Sequence, residues 1–401
     1  MCLSRDFSEL ATLQLEGAAD EADAHWQRML DSGRAAGHGW VRKSLCVGDD
    51  NGIYLTSPDH LHKVMWTGER LSTDEADGAW RARYRNGTGW GSGSTPSLMG
   101  FGPDEDRFVV IGDGDEVVNI TLFWRDAIPE DWDQFPDAPS HRIAGLGRAD
   151  MGDPDLEAIQ TEQSITVSGY GAMTVNNQPP TLVEGLPESA ARALCFYLGH
   201  DPAFRPLGLH KYEWNPATRT LEEAWVCTTV SSPNSVPFVS QGSDLVYTCG
   251  TRERQWTIEA VDWTTGEPAF HYVLGGSMFN TLGAGVTVMD DGRLLFGTVF
   301  GKARVLRLCT TGVASAPPAR DVVLRRRSGQ GCAWVAVASV RSWAQSLSWS
   351  AKSGWASSRV AAVSESAAAR ALMSSMAWGS RFARSERVSV MSAARSSASA
   401  Q

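Results

Sequence analysis

The sequence predicts an all-β chain folded as a β-propeller of about five to six blades, its ring complete or not, between a short helical N-terminal segment and a disordered or aberrant C-terminal tail. Three observations carry this reading. A strand–turn–strand unit recurs four times between residues 94 and 298, and an aromatic–turn–strand unit recurs three times around it. The 39 Gly and 16 Trp in 401 residues supply the turns and the large rings that packed sheets need.

Residues 1–38, which open MCLSRDFSELATLQLEGAADEADAHWQRML, are acidic and amphipathic, and this predicts a helical segment. They lack the basic start and apolar core of an export signal, so the chain as written is expected in the cytoplasm. A true start further upstream would place it in the periplasm or outside the cell.

Residues 39–308 form the expected propeller. In the first repeat small polar residues open a strand, the chain turns on Gly or Asp, and a strongly apolar strand returns and ends near Gly. The copies are STPSLMGFGPDEDRFVVIGDGD from Ser94, EQSITVSGYGAMTVNNQ from Glu162, NSVPFVSQGSDLVYTCG from Asn234 and NTLGAGVTVMDDGRLLFGT from Asn280. The second unit appears as HKVMWTGERL, HKYEWNPATRTLEEAW and EAVDWTTGEPAFHYVL, around Trp66, Trp214 and Trp263. Its turn joins the outer strands of a blade and its ring packs between neighbouring sheets. Together the two units give four strands per blade.

Between the second and third copies of the first repeat, LPESAARALCFYLG predicts a helix, with Pro187 and Glu188 at its start and Gly199 as its stop. Two acidic, aromatic-rich stretches, LSTDEADGAWRARY and LFWRDAIPEDWDQFPDAP, interrupt the pattern. The second gathers Trp124, Arg125, Trp132 and Phe135 beside Pro129 and Pro136. It reads as a long connection that either caps the channel or faces a partner, or else fills the space between blades.

Residues 309–401 differ in kind. They hold 12 Arg or Lys against 3 Asp or Glu, leaving 24 against 43 before them, and they contain no Ile, Tyr, Asn or His. Ser, Ala and Arg dominate, and such a composition buries little area per residue ordered. A frame-shifted translation of a GC-rich gene would produce it, as would a true disordered tail, and on either reading GKARVLRL is the last strand.

The seven Cys, at 2, 46, 195, 227, 249, 309 and 332, form no CxxC pair and lie near no His at zinc spacing. Buried thiols are expected, with Cys227 and Cys249 the one pair placed for a bridge. No run of apolar residues is long enough to span a membrane. Gly-x-Ser-x-Gly, Gly-Lys phosphate loops and His-Glu-x-x-His are missing, and the acidity of residues 1–308 disfavours nucleic acid.

In a propeller the residues that open each repeat converge on the central channel. Thr95, Glu162, Asn234 and Asn280 occupy that position and are expected to hold a small polar ligand, or only channel water. Asp113 and Asp115 in IGDGDEVVN read as a tight turn or an oxygen-ligand loop, and Asn176 and Asn177 as a turn.

The repeats, above all AVDWTTGEPAFHYV, resemble those of the pyrroloquinoline-quinone-like (quinoprotein alcohol dehydrogenase-like) propellers. The resemblance covers about residues 48–308. It implies a fold that serves enzymes, assembly factors and binding proteins alike. Calcium is implied as a cofactor of the enzymatic members, with Glu162, Asp113 and Asn234 as loose equivalents of their Glu, Asn and Asp ligands. The adjacent cysteines of the quinone enzymes have no counterpart here. The expected function is therefore a non-enzymatic binding or scaffold propeller with a polar channel and a small-molecule or protein partner. The alternatives are a calcium-dependent hydrolase or lactonase and a quinoprotein-like oxidoreductase.

Overall fold

The computed structural model describes residues 2–15, positions 24 and 27, residues 41–309 with short gaps, and the segments 321–325 and 332–339. Among the described residues five antiparallel sheets follow one another along the chain, those of the second, third and fourth blades simple four-stranded meanders. Before them β1 (Cys2–Leu3) pairs with β2 (Glu9–Ala11). The expected N-terminal helix therefore begins as a hairpin. Positions 24 and 27 are helical, and most of the remainder up to residue 40 lies outside the described residues.

The first blade holds β3 (Cys46–Val47), β4 (Gly52–Thr56) and β5 (His60–Trp66). Its outer strand is split between β6 (Leu71–Ser72) and β7 (Trp80–Arg83), which both pair with β5. The split is local chemistry. Asp74 caps a 3₁₀ turn at Glu75–Asp77 by accepting from the Ala76 N–H, and Gly78 ends it at φ 87°.

The second blade is β8 (Ser97–Met99), β9 (Phe108–Gly112), β10 (Asn119–Trp124) and β11 (Ile143–Arg148). The third is β12 (Thr166–Ser168), β13 (Gly171–Val175), β14 (Leu209–Asn215) and β15 (Thr220–Cys227). The fourth is β16 (Phe238–Ser240), β17 (Leu245–Arg252), β18 (Gln255–Asp262) and β19 (Pro268–Gly275). Each copy of the first sequence repeat forms the two inner strands of a blade. Each copy of the second forms outer strands: β5–β6, β14–β15 and β18–β19.

The fifth sheet runs β20 (Val286–Val288), β21 (Leu294–Thr298) and β22 (Gly301–Cys309), and then continues. Cys332–Ser339 (β24) pairs with β22 over its whole length, and Asp321–Arg325 (β23) pairs with β24. The boundary expected at residue 309 thus falls at the end of one strand and before two more. The charge and composition that set the tail apart did not register CAWVAVAS, an apolar stretch of strand length within it.

Burial follows the two-residue period of a strand. In β9, Phe108 and Val110 join a core with Ile165, Ala172 and Trp214 of the third blade. Between them Val109 and Ile111 point the other way, into a core with Tyr54, Leu61 and Trp80 of the first. Met173, Leu209 and Trp225 meet Val246, Val261 and Trp263 between the third and fourth blades. Trp256 and Ile258 meet Val286, Phe296 and Val305 between the fourth and fifth. Four cores between five successive sheets are the packing of a propeller, in which inner strands are buried on both faces and read as continuous apolar runs. Cys227 and Cys249, the one pair placed for a bridge, are free thiols buried in different cores.

The stretch 125–142 fills space between blades. Trp124 at its start packs edge-on against Trp132 (5.3 Å between centroids) and against Trp214 of β14 (5.8 Å), and Trp132 packs on Phe135. Arg219 of the third blade lies over both indoles and pairs with Asp131 at 2.9 Å. Among the described residues no helix is long and apolar enough to cross a membrane.

Candidate functional site

The innermost strands of blades two to five are only three residues long and stand side by side around a cavity of about 580 Å³. Hydroxyls join them in sequence. Ser97 Oγ donates to Ile165 O at 2.7 Å, Thr166 Oγ1 to Pro237 O at 3.3 Å, and Ser235 Oγ to Ala284 O at 3.4 Å. Backbone pairing between adjacent blades is confined here to isolated contacts such as the parallel bridge Val236–Gly285, and side-chain donors to the neighbour's carbonyls satisfy groups that burial would otherwise strand. This is a physical reason for Ser97, Thr166 and Ser235 in the opening stretches of three of the repeats. The wall of the cavity carries Ser164, Ser168, Ser240 and Gln241 beside Val167, Val239 and Val288. No charged residue, imidazole or thiol belongs to its described lining.

The four residues expected to face this channel lie elsewhere in the network. Thr95 is half-buried just before β8. The Glu162 carboxylate accepts from Lys43 Nζ at 2.7 Å, and its backbone N–H donates to Asn177 Oδ1 at 2.8 Å. Asn234 and Asn280 do meet: Asn234 Nδ2 donates to Asn280 Oδ1 at 2.7 Å. Both amides also donate to Phe196 O, at 2.9 and 3.1 Å, and Thr281 Oγ1 donates to Asn234 Oδ1 at 2.8 Å.

Phe196 belongs to the connection from β13 to β14, where the predicted helix is found: Ala191, Leu194 and Phe196–Leu198 are helical and the other positions of 187–195 lie outside the described residues. A helix leaves its last carbonyls without partners, and the two asparagines supply donors to one of them. Asn177, expected as a turn, links blades by donating to Ser232 O and Pro233 O at 3.1 and 3.0 Å. The same crowding fixes Gly93, where a Cβ would stand 2.0 Å from Thr161 O.

The loose calcium set is dispersed among separate bonds. Asp113, at the end of β9, accepts from the Asn119 N–H and from Asn119 Nδ2, both at 2.8 Å. Burial pushes its carboxyl up to about 7, with Asp115 adding to the rise and the bonds from Asn119 opposing it. Asp115 accepts from the Gly87 N–H at 3.0 Å. The pair is thus built into its hairpin, and neither Glu162 nor Asn234 is among the partners of Asp113.

One polar cluster went unread in the sequence. Asp150, His210 and Glu223 bring ligand-type atoms within 4.8 Å of one another. Their spacing along the chain gives no signal, because the acid at 150 comes from one blade and the other two from the next.

No family model matches the chain. An uncharacterized protein of Archaeoglobus fulgidus is 34% identical over 273 residues, which cover 66% of this chain and 52% of that one. The chain thus spans about half the length of the curated relative it matches. Among solved structures it is similar to the Dos1 propeller, with a TM-score of 0.41 and 14% identity over 66% of this chain and 56% of that one. It is also similar to BamB from Moraxella catarrhalis, with a TM-score of 0.37 and 12% identity over 65% and 60%. The propeller assignment itself rests on the five sheets and the four cores between them.

Proposed function

We propose that this chain is a non-enzymatic binding propeller of the pyrroloquinoline-quinone-like kind, whose channel takes an uncharged ligand with both hydroxyl and aliphatic surface. The observation that carries the reading is the described lining of the 580 Å³ cavity, which sets serine hydroxyls beside valines and holds no charged side chain, imidazole or thiol. Such a wall orients a neutral polar ligand by hydrogen bonds and gains from burying its apolar face, while an ionised ligand would lose hydration without a counter-charge. The Asn234–Asn280 pair and the Glu162–Lys43 pair are read as structure, because their bonds join insertions and blades to one another.

A single panel tests this. The full chain is screened by thermal shift against neutral polyols and short uncharged peptides, their ionised analogues, and pyrroloquinoline quinone with calcium. Neutral ligands are expected to raise the melting temperature by mass action, and Ser168→Trp, which fills the cavity, is expected to abolish the shift. Stoichiometric quinone uptake with dye-linked alcohol oxidation would overturn the reading.

A further inference from the structure

His210 lies on β14, opposite Val226 of β15. The register slips one residue further on, so that Tyr212 faces Glu223 while Lys211 faces Trp225, and Ala224 has no partner. A bulge of this kind re-aims a side chain. Here it brings Glu223 Oε2 to 3.0 Å from His210 Nε2. The third group comes from the second blade. Beyond β11 the chain turns through Asp150 and Met151, the latter in the left-handed region at φ 55°. This turn places Asp150 Oδ1 3.8 Å from His210 Nδ1 and the Met151 N–H 3.3 Å from the same nitrogen. Tyr212 stacks on the imidazole at 4.8 Å and 24°, fixing its plane. The His210 side chain is fully buried, Asp150 is one-fifth exposed and Glu223 is more than half exposed, so the cluster is rigid at its root and open to water at its rim.

We propose that His210, Glu223 and Asp150 bind one divalent transition cation of the zinc class. Imidazole with two carboxylates is a donor set for such ions, and open positions at the rim leave room for water. A tetrahedral cation about 2.1 Å from a nitrogen and from an oxygen sets those atoms about 3.4 Å apart. Nε2 and Glu223 Oε2 stand 3.0 Å apart, so the exposed Glu223 side chain has to withdraw by only about 0.4 Å to admit the ion.

Without a cation, the Met151 N–H donates to Nδ1, so the ring carries its proton on Nε2 and gives it to Glu223. A cation at Nε2 takes that proton's place. The ring proton then belongs on Nδ1, which can no longer accept from the Met151 N–H, and Asp150, whose ligand oxygen lies within 4.8 Å of the other two ligand atoms, turns to the ion. Loading therefore releases the Met151 amide, one of the bonds between the second and third blades at this point.

The test uses the full chain and zinc chloride in calorimetric titration at neutral pH, with amide exchange at Met151 followed in parallel. Wild type is expected to bind one zinc that Glu223→Gln and Asp150→Asn each weaken tenfold or more. Glu223 is exposed, so its variant should keep the wild-type melting curve without zinc. Exchange at Met151 should quicken with zinc in wild type and stay unchanged in Glu223→Gln. Superimposed titrations of wild type and Glu223→Gln, or an amide indifferent to zinc, would overturn the site.

Discussion

At the scale of single residues, the sequence told which positions matter better than what they do. Thr95, Glu162, Asn234 and Asn280 stand where each repeat opens, and their type follows from that place. Their partners could not be read, because Phe196 comes from an insertion, Lys43 from ahead of the first blade and Asn177 from the far end of the repeat that Glu162 opens. Asp113 was legible as part of a tight hairpin, and its burial was not. Held at about 7 by burial, its carboxyl keeps a proton in the folded chain over a range where the unfolded chain, near 3.8, has lost it. The stability this contributes is complete below the lower value and is lost as pH rises through the higher one, by at most about 1.4 kcal/mol per pH unit. Asp113→Asn removes the titrating group, so the variant should gain on wild type as pH climbs from 4 to 8. Urea unfolding of both proteins across that range checks it, and a constant difference would show that Asp113 titrates normally.

Elements were legible where their period was unbroken. The inner strand pairs were read from four repeats and the outer hairpins from three, since each alternates over a length that a strand of this fold requires. The inner pair of the first blade, β3–β4, was missed because β3 is only two residues long. The outer pair of the second was hidden by residues 125–142, whose rings speak of packing and carry no strand period. The helical insertion between β13 and β14 was read correctly as helix, but what anchors it was not. Anchoring falls to Asn234 and Asn280 on Phe196 O, with Thr251 Oγ1 donating to Gly199 O at 3.0 Å. Replacing both asparagines by Ala leaves that carbonyl unsatisfied, at about 1–3 kcal/mol. Hydrogen exchange should then rise at residues 194–199 ahead of the blades, and uniform protection there would mean that the amides do not hold the insertion.

At the scale of the whole molecule, the repeats predict about five to six blades, and the described residues hold the sheets of five, the last of them continuing past residue 309. Four copies of the first repeat, with the first blade marked by the hairpin around Trp66, account for the five sheets, and the fifth takes its outer strands from the segment that composition assigned to a tail. A propeller blade ends in a strand whose far edge is open, and the cost of losing that strand passes inward to the next edge. In the fifth sheet β24 covers β22 from Lys302 to Cys309. A chain cut after residue 308 therefore exposes the N–H and C=O groups of β22, while a cut after residue 341 keeps β23 and β24 with the sheet. The longer truncation product should melt close to the full chain, and the shorter one should melt lower and associate through its bare edge, seen as concentration-dependent light scattering. If both products melt alike and stay monomeric, residues 321–339 contribute nothing to the fifth blade, and the boundary that the charge reversal marks at 309 is the true end of the propeller.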